Sequence, residues 1–322
     1  MSAPLLWAVV GATGTGKTRL SLDLAEALVA EGRAAEIVNA DAMQLYRGMD
    51  IGTAKLPAEE RRGIPHRMWD VLAVTEESSA AWYQKRARDA VLAAHERGAD
   101  AILVGGSGLY VSSVIHRLRF PPRDARLRMR LEQDLAELGP GMLHARLRAA
   151  DPDAAARIDP RNSRRIVRAL EVLAQDGPAR ADEAARDPSG VWHPRTRIIA
   201  LHRERADLVA ELDARMLRMW REGLLEETAA LRSAGLEQGV TARRAIGYAQ
   251  ALAHLDGRMT RDEAVAAAQT LTRAYARRQV SWFRRYRGAQ WVDAGAEGAG
   301  AEVGSLVAGA EDQRRIPGEP AS

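Results

Sequence analysis

Short apolar runs alternate with helical patterns in the first third of the chain. The apolar runs are Leu5 to Val10, Ala35 to Asn39 and Ala101 to Val104, each bounded by glycine or polar residues. Between them, Thr18 to Ala30 and Ala81 to Gly98 carry apolar residues at three- and four-residue spacing. This alternation is typical of buried parallel strands joined by right-handed helical crossovers. The pattern therefore predicts the α/β class, with a parallel sheet flanked by helices.

A fourth strand candidate, Arg197 to Leu201, lies far along the chain from the third. The interval before it, residues 117–192, shows mostly helical spacing, so we expect an all-helical insertion domain there. Its helical segments read "RLRMRLEQDLAELG", "GMLHARLRAA" and "SRRIVRALEVLAQDG".

The rest of the chain divides into a helical part and a tail. Beyond Leu201 the helical pattern continues to Arg287, and we assign residues 1–116 and 193–293 to one core with C-terminal helices. From residue 294 to the end the sequence is rich in Gly, Ala and Glu with little hydrophobic periodicity. That composition predicts a disordered tail over 294–322.

A glycine-rich loop joins the first strand to the first helix. It reads "GATGTGKT" and contains the pattern G-x-x-x-x-G-K-T, in which backbone N–H groups converge on an anion at a helix N-terminus. The lysine adds a point charge, and the final threonine hydroxyl can ligate Mg²⁺. The alternative is a coincidental glycine-rich turn. We predict a polyphosphate site formed by Gly11, Ala12, Thr13, Gly14, Thr15, Gly16, Lys17 and Thr18, with Thr18 as metal ligand and Mg²⁺ as cofactor.

Acidic residues are placed unlike those of an ATPase. Such an enzyme uses an acid at the end of a second buried strand to hold Mg²⁺, but the third strand here ends in "GGSG". The acid instead follows the second strand, where Asp41 is expected at the carboxyl edge of the sheet, beside the ligand. We interpret Asp41 as a general base. A helix N-cap or an outer-shell Mg²⁺ ligand are the alternatives.

Charge distribution favours a nucleic-acid partner. The net charge is +4, and thirteen Arg but only eight acidic residues lie between Arg117 and Glu171. From Leu271 to Arg287 there are six Arg and no acid. Segregated basic zones of this kind are suited to a phosphate backbone, although many charge clusters are merely solvated faces.

Composition excludes some classes of protein. Cysteine is absent, which excludes disulfides and thiolate-bound metals. No apolar run approaches the roughly 20 residues of a membrane span, and the N-terminus leads directly into a strand. We therefore expect a cytoplasmic protein with no membrane association, and a monomer.

Seven strings carry a family resemblance: "GATGTGKT", "DAMQLYRGMDIGTAKL", "IPHRMWDV", "ILVGGSGLY", "DPDAAARIDPRNSRRIVRALEV", "RRAIGY" and "RRQVSWFRR". Their order and approximate spacing resemble those of the tRNA dimethylallyltransferases, also called tRNA isopentenyltransferases, from about Leu5 to Arg287. The resemblance implies a P-loop NTPase-like core. It also implies transfer of the dimethylallyl group of dimethylallyl diphosphate to N6 of adenosine 37, next to the tRNA anticodon. The bound diphosphate is then a leaving group, and no attacking water is needed.

The resemblance also implies roles for individual residues. Asp41 would be the base that takes the N6 proton, Thr13 and Lys17 would act at the diphosphate, and Arg215 would help to hold it. For Arg215 a solvated helix-face charge is the alternative. Family positions that contact tRNA correspond here to Asp41, Ala42, Met43, Gln44 and Ser107, the last usually threonine.

The basic zones would contact the anticodon stem-loop. Most of these contacts would be to phosphates, which position the RNA without specifying sequence. Arg277, Arg278 and Arg284 are also expected to meet RNA backbone, whereas Trp282 and Phe283 are candidates for core packing, because they are too apolar for a wholly exposed helix. The contacts assigned to the stem-loop are Arg128, Arg130, Asn162, Arg164, Arg165, Arg168, Arg243 and Arg244.

Several positions depart from the family pattern. Ala12 replaces a common proline, Gly14 and Thr15 replace an Ala-Ser pair, and "RM" interrupts the usual His-His-Leu after Pro65. None of these changes removes a charge that the chemistry needs. His66 is expected to be structural and not catalytic.

Three other functions compete with this interpretation. A P-loop kinase of a small metabolite would share the fold but leave the basic zones unexplained. An isopentenyltransferase acting on free adenine nucleotides would not need so large a basic insertion. A nucleotide-regulated RNA-binding protein without transferase chemistry would gain little from Asp41.

Overall fold

The computed structural model describes residues 3–121, 124–176, 190–286, 288–295 and 307. They form two compact units, one from Met1–Ile115 with Trp192–Ser322 and the other from His116–Val191. The sequence predicts 117–192 for the second unit. No helix within the described ranges is long and apolar enough to cross a membrane.

The first unit contains a six-stranded parallel sheet with the order β3-β2-β4-β1-β5-β6. The predicted α/β class and parallel sheet are thereby confirmed. The two outer strands are additions to the four that the apolar pattern predicts. The strands are β1 (Leu6–Gly11), β2 (Ala34–Asn39), β3 (His66–Arg67), β4 (Ala99–Gly105), β5 (Thr196–His202) and β6 (Gln290–Asp293).

The central strand β1 is buried on both faces. Leu6, Ala8 and Val10 belong to one hydrophobic cluster, whereas Trp7 and Val9 belong to another. This division follows from the alternation of side chains along a strand. Helices cover both faces, so the strand reads as a continuous apolar run. The first three helices are α1 (Lys17–Ala30), α2 (Ala80–Glu96) and α3 (Gly108–Ile115).

The second unit is helical over most of its described length. It contains α4 (Ala125–Ala150), α5 (Pro152–Arg157) and α6 (Ser163–Asp176). Leucines at helical spacing, such as Leu131, Leu143 and Leu147, form its buried core. Helix α4 is kinked at Gly139, whose φ of 78° and ψ of 167° lie outside the helical region, just before Pro140.

The two ends of the second unit are connected to the first unit at neighbouring residues. Within the first unit, the N–H of Trp192 donates to the carbonyl of Ile115 at 2.7 Å. Within the second, His116 and Val191 form an antiparallel bridge. The entry and exit of the insertion are therefore next to each other.

In its described residues the first unit has four α-helices after β5, and the first of them lines the cleft described below with Glu211 and Arg215. The sequence predicts one helical piece over 208–235, but the structure divides it at Gly223, whose φ of 107° is unsuited to a helix. The last of these helices begins with a capping box between Thr260 and Glu263. These helices are α7 (Arg205–Arg221), α8 (Leu224–Ser233), α9 (Tyr248–Leu255) and α10 (Arg261–Phe283).

Most of the predicted tail, 296–306 and 308–322, lies outside the described residues. Within 294–322 the structure describes Ala294, Gly295 and Val307. Val307 is fully buried and belongs to the cluster that contains Trp7. The sequence pattern around it does not predict this contact.

Candidate active site

The phosphate loop connects β1 to α1 at the carboxyl edge of the sheet. Gly14 has a φ of 82°, and a Cβ atom there would lie 2.8 Å from Cδ2 of Leu212, so the glycine lets α7 pack against the loop. Gly16, with a φ of 78°, precedes the first residue of α1. The N–H groups of the first helical turn have no intrahelical partner, and Gly16, Lys17 and Thr18 line the cleft, an arrangement suited to binding an anion.

Lys17 lies half-buried at the floor of this loop. Its Nζ donates to the carbonyl of Ala12 at 2.6 Å, and the Thr15 hydroxyl donates to the same carbonyl at 2.9 Å. Burial lowers the pKa of Lys17 to about 8, with Asp41 opposing the shift and Arg215 adding to it. A bound anion would favour the charged form of this side chain.

Thr13 is held from two directions. Its N–H donates to Oε1 of Gln279 at 2.8 Å, and its hydroxyl accepts from Nη2 of Arg215 at 2.6 Å. Gln279 is buried in α10 and also donates from Nε2 to the carbonyl of Gly106 at 2.8 Å. Gln279 therefore ties the phosphate loop to the turn after β4, a role that the sequence does not signal.

Asp41 follows β2 in a turn fixed by Asn39. The N–H of Asp41 donates to Oδ1 of Asn39 at 2.9 Å, and Nδ2 of Asn39 donates back to the Asp41 carbonyl at 3.0 Å. Oδ1 of Asp41 accepts the N–H of Met43 at 2.9 Å. No helix begins here, so the N-cap alternative for Asp41 is wrong. Its second carboxylate oxygen, Oδ2, receives no hydrogen bond from the described residues.

Glycine at the end of β4 brings this turn close to the phosphate loop. A Cβ atom on Gly105 would collide with the backbone of Ala40, the residue before Asp41. An aspartate at position 105, as an ATPase would have, could not fit without moving that backbone. The glycine therefore allows the acid to come from β2.

The opposite wall of the cleft includes Gln44, Thr53 and Ala54. Nε2 of Gln44 donates to the Thr53 carbonyl at 3.1 Å, while its Oε1 accepts from Nε1 of Trp69 at 3.1 Å. Trp69 in turn stacks on His66, with ring centroids 4.4 Å apart. Burial lowers the pKa of His66, whose ring also contacts the Ile64 carbonyl at 2.8 Å. These contacts are those of a structural histidine.

Glu227 of α8 anchors the segment that carries Thr53. Its carboxylate accepts the N–H groups of Asp50, Ile51 and Gly52 at 3.2, 2.8 and 3.3 Å, and the Tyr248 hydroxyl at 2.6 Å. Such a carboxylate fixes three backbone donors at once.

A buried lysine fixes the far end of the same segment. Nζ of Lys55 lies 2.6 Å from carboxylate oxygens of both Asp50 and Asp70. The sequence alone signals neither this lysine contact nor Glu227.

These elements enclose a cleft of about 320 Å³. Two acids, Asp41 and Glu211, and three cations, Lys17, Arg203 and Arg215, line it. Arg203 and Glu211 were not predicted from the sequence, although Arg203 follows a strand at the same edge as Asp41. The lining residues are Thr13, Gly14, Gly16, Lys17, Thr18, Asp41, Gln44, Thr53, Ala54, Val104, Gly105, Arg203, Glu211 and Arg215.

Other predicted residues lie behind the cleft. Gly11, Ala12 and Thr15 of the phosphate loop are buried. The Ser107 hydroxyl accepts the N–H of Ala42 at 3.0 Å and thus supports the turn that carries Asp41. Ala42 and Met43 are half-buried in that turn.

Tyr275 of α10 lies close to Ser107 and to Asp41. Burial, together with the negative charge of Asp41, raises the pKa of Tyr275 to about 12. Tyr275 is therefore kept as a neutral phenol, which the basic pattern of this helix does not predict.

The arginines near the C-terminus of the first unit are mostly exposed. Arg243 and Arg244 lie in a short 3₁₀ turn over Ala242–Arg244. Arg277, Arg278 and Arg284 are exposed on or at the end of α10. Phe283 is fully buried, whereas Trp282 is half-buried and donates from Nε1 to the Ser112 hydroxyl at 3.0 Å.

The predicted RNA contacts of the second unit fall into two groups. Arg130, Arg164 and Arg165 are exposed, and the exposed Asn162 accepts the N–H of Arg165 at 3.2 Å. Arg128 and Arg168 instead lie 3.5 and 2.9 Å from Oε2 of Glu171, whose side chain is fully buried. Two of the predicted arginines thus already have an internal acid.

The side chains around the cleft suit a metal ion that is coordinated mainly by the bound substrate and water. Within the described ranges, no group of three or more His, Cys, Asp or Glu side chains could hold a metal ion. Thr18 offers a hydroxyl at the start of α1, beside the cleft. Mg²⁺ commonly keeps several waters and binds through substrate phosphates with few protein ligands, so the residues present fit that mode.

Comparisons with known proteins point to one family. The profile described as IPP transferase matches residues 44–286 of the chain. A tRNA dimethylallyltransferase of Clavibacter sepedonicus is 61% identical over 287 residues, which cover 89% of this chain and 92% of that protein. A tRNA dimethylallyltransferase of Salinispora arenicola is 50% identical over a stretch that covers 92% of this chain and 84% of that protein.

Solved structures give the same result. The tRNA isopentenylpyrophosphate transferase of Bacillus halodurans matches with a TM-score of 0.69 and 36% identity, over 97% of this chain and 98% of its own. A eukaryotic dimethylallyltransferase, described as acting on tRNA, matches with a TM-score of 0.81 and 25% identity, over 99% of this chain and 82% of its own.

Proposed function

The chain belongs to the tRNA dimethylallyltransferase family, and we propose that it transfers the dimethylallyl group of dimethylallyl diphosphate to N6 of adenosine 37, next to the tRNA anticodon. The observation that carries this proposal is that Asp41 and the phosphate loop line one cleft. A base and an anion site that share a cleft suit the transfer of a group from a diphosphate to a neutral amine nitrogen, which loses a proton as the new bond forms. The alternatives, a kinase or an enzyme acting on free nucleotides, lack a specific supporting observation.

On the donor side, the carbon–oxygen bond of the prenyl diphosphate breaks and both electrons leave with the oxygen. Negative charge then grows on the diphosphate. The loop N–H groups and the Lys17 ammonium are suited to stabilise it, and the Arg215–Thr13 hydrogen bond supports the loop from the side. Lys17, Thr13 and Arg215 are therefore assigned to the leaving group.

On the acceptor side, N6 of adenine forms the new carbon–nitrogen bond and loses a proton. The exocyclic amine is a weak nucleophile, so removal of its proton by a carboxylate within hydrogen-bond reach promotes the attack. Oδ1 of Asp41 is occupied by Met43, and we assign the Oδ2 oxygen to the N6 proton. Gln44, fixed by Thr53 and Trp69, is assigned to the tRNA side of the cleft.

Mg²⁺ is the proposed cofactor. When bound, it would neutralise part of the charge on the departing diphosphate. The Thr18 hydroxyl would be its protein ligand, and the diphosphate with water would complete its coordination. We also propose that the protein acts as a monomer.

We propose that exposed arginines bind the anticodon stem-loop. Bases that undergo chemistry must leave their stack, and the anticodon loop is a single-stranded region where this is easy. Arg130, Arg164, Arg165, Arg243 and Arg244 are exposed and suited to phosphate contacts. Since tRNA is used in translation, we propose a cytoplasmic location.

One assay tests the function. The protein is incubated with labelled dimethylallyl diphosphate, Mg²⁺ and either bulk tRNA or AMP, and the labelled nucleoside is identified. We expect label on an adenosine of tRNA and none on AMP. Label on AMP alone would contradict the proposal. In a parallel incubation with ATP, consumption of its terminal phosphate with no use of the prenyl donor would also contradict it.

A further inference from the structure

Arg203 is a cation of the cleft to which the chemistry above gives no role. It directly follows β5, which runs parallel to β1 with Leu201 opposite Gly11. The residue therefore leaves the sheet next to the first position of the phosphate loop. Its side chain is half-buried and lines the cleft together with Lys17 and Arg215.

The surroundings of Arg203 differ from those of the other two cations. Lys17 donates to the Ala12 carbonyl and Arg215 to the Thr13 hydroxyl. The Nε atom of Arg203 is buried, yet it meets no hydrogen-bond partner among the residues that the structure describes. Buried charged donors in native proteins are normally paired, so an unpaired one beside a ligand cleft points to a partner that the ligand supplies.

The nearby acid of the cleft does not serve as that partner. Oε1 of Glu211 accepts from Nη2 of Arg218 at 2.6 Å, so this carboxylate is already paired. The positive charge of Arg203 therefore stays available to an anion in the cleft. A guanidinium is planar and can donate two parallel hydrogen bonds to phosphate oxygens, which favours a diphosphate over a monovalent anion.

We propose that Arg203 binds the diphosphate of the prenyl donor directly, as a second guanidinium besides Arg215. This inference rests on the proposed function, because it takes the donor to be a prenyl diphosphate. Arg203 would contact the oxygens on the β5 side of the phosphate loop, which Lys17 and the loop amides leave uncovered. It is a binding residue, because it would act on donor affinity and leave the acceptor tRNA untouched.

The test measures donor and acceptor separately. Inorganic diphosphate is titrated calorimetrically into wild type, Arg203→Gln and Arg203→Met, all with Mg²⁺, and KM is measured for dimethylallyl diphosphate and for tRNA. We expect both variants to bind diphosphate about tenfold more weakly, the scale of one charge-assisted hydrogen bond. KM for the donor should rise in parallel, while KM for tRNA stays within about twofold. Arg203→Lys should recover part of the loss.

Arg195→Gln is the matched control. Arg195 is exposed just before the other end of the same strand, so its loss should leave diphosphate affinity unchanged. Circular dichroism and a thermal melt establish that each variant is folded. If either neutral variant of Arg203 is folded and binds diphosphate as wild type does, the assignment is wrong. A wild type that fails to prenylate tRNA would instead overturn the proposed function, whatever the titrations show.

Discussion

Two acids, Asp41 in the cleft and Glu171 in the inserted helices, show how differently one functional group is used in this protein. Asp41 has one oxygen held by a backbone N–H of its own turn and faces a cleft. Glu171 is fully buried between Arg128 and Arg168. Asp41 can still contact a ligand, whereas Glu171 pairs with two arginines inside the fold. The presence or absence of a buried ion pair therefore distinguishes these two acids.

Replacement of Asp41 by asparagine should have the largest effect. The substitution keeps the size of the side chain and removes the base, so kcat for tRNA prenylation should fall at least ~100-fold. Filter binding should find tRNA affinity near normal, and the melting temperature should not drop. An equal loss of affinity and rate would make Asp41 a binding residue, and its contrast with Glu171 would disappear.

Glu171→Ala should show the opposite pattern. Two arginines lose their buried acid, so the free energy of unfolding of the full chain should decrease by about 3 kcal/mol, the scale for breaking a buried ion pair. Turnover per folded molecule should stay close to wild type when donor and tRNA are saturating. Urea denaturation followed by circular dichroism measures the first quantity. Unchanged stability would mean that Arg128 and Arg168 are free for RNA after all.

The pH dependence of donor binding tests whether Lys17 is the cation of the anion site. Burial lowers the pKa of Lys17 to about 8, and a diphosphate binds the ammonium form. Affinity for dimethylallyl diphosphate should thus be level below pH 8 and fall with rising pH above it, by about tenfold per pH unit. Calorimetric titration between pH 7 and 9.5, without tRNA, measures this.

Lys17→Arg is the control for the pH series, because a guanidinium stays charged throughout that range. Its donor affinity, even if lower, should not vary with pH between 7 and 9.5. The same decline in both proteins would assign the titration to a group other than Lys17.

The smallest expected effect separates the two groups of arginines in the insertion. Arg164→Gln with Arg165→Gln should lower the slope of log affinity for tRNA against log salt by about 1.4, or 0.7 for each lost phosphate contact, and should leave stability unchanged. Arg128→Gln with Arg168→Gln should lower stability with less effect on the slope. Identical behaviour of the two pairs would contradict the division between exposed and paired arginines.

Sequence patterns predict the centre of the fold better than its edges. Apolar runs identify the four inner strands because these are buried on both faces. The two outer strands are short, and His66, Arg67 and Gln290 are half-buried or exposed. An edge strand needs no continuous apolar run, so the periodicity carries little signal for it.

The candidate site follows the same rule. The phosphate loop and Asp41 are predictable because local spacing and the end of a strand determine where they lie. Gln279 and Glu227 are not, since each meets its partners from a distant part of the chain. The sequence predicts RNA contacts for Arg128 and Arg168 because it gives their charges. It does not predict their pairing with Glu171, which depends on distances in the folded chain.

The hydrogen bond between Trp192 and Ile115 has a consequence for the history of this architecture. The inserted unit, His116–Val191, is connected to the first unit at two neighbouring residues, Ile115 and Trp192. Evolution can lengthen, trim or exchange such a module without reordering one strand, as in other tolerated domain insertions. The part of the RNA interface that we propose for the insertion can therefore change in descendants of this scaffold while the cleft in the other unit is kept.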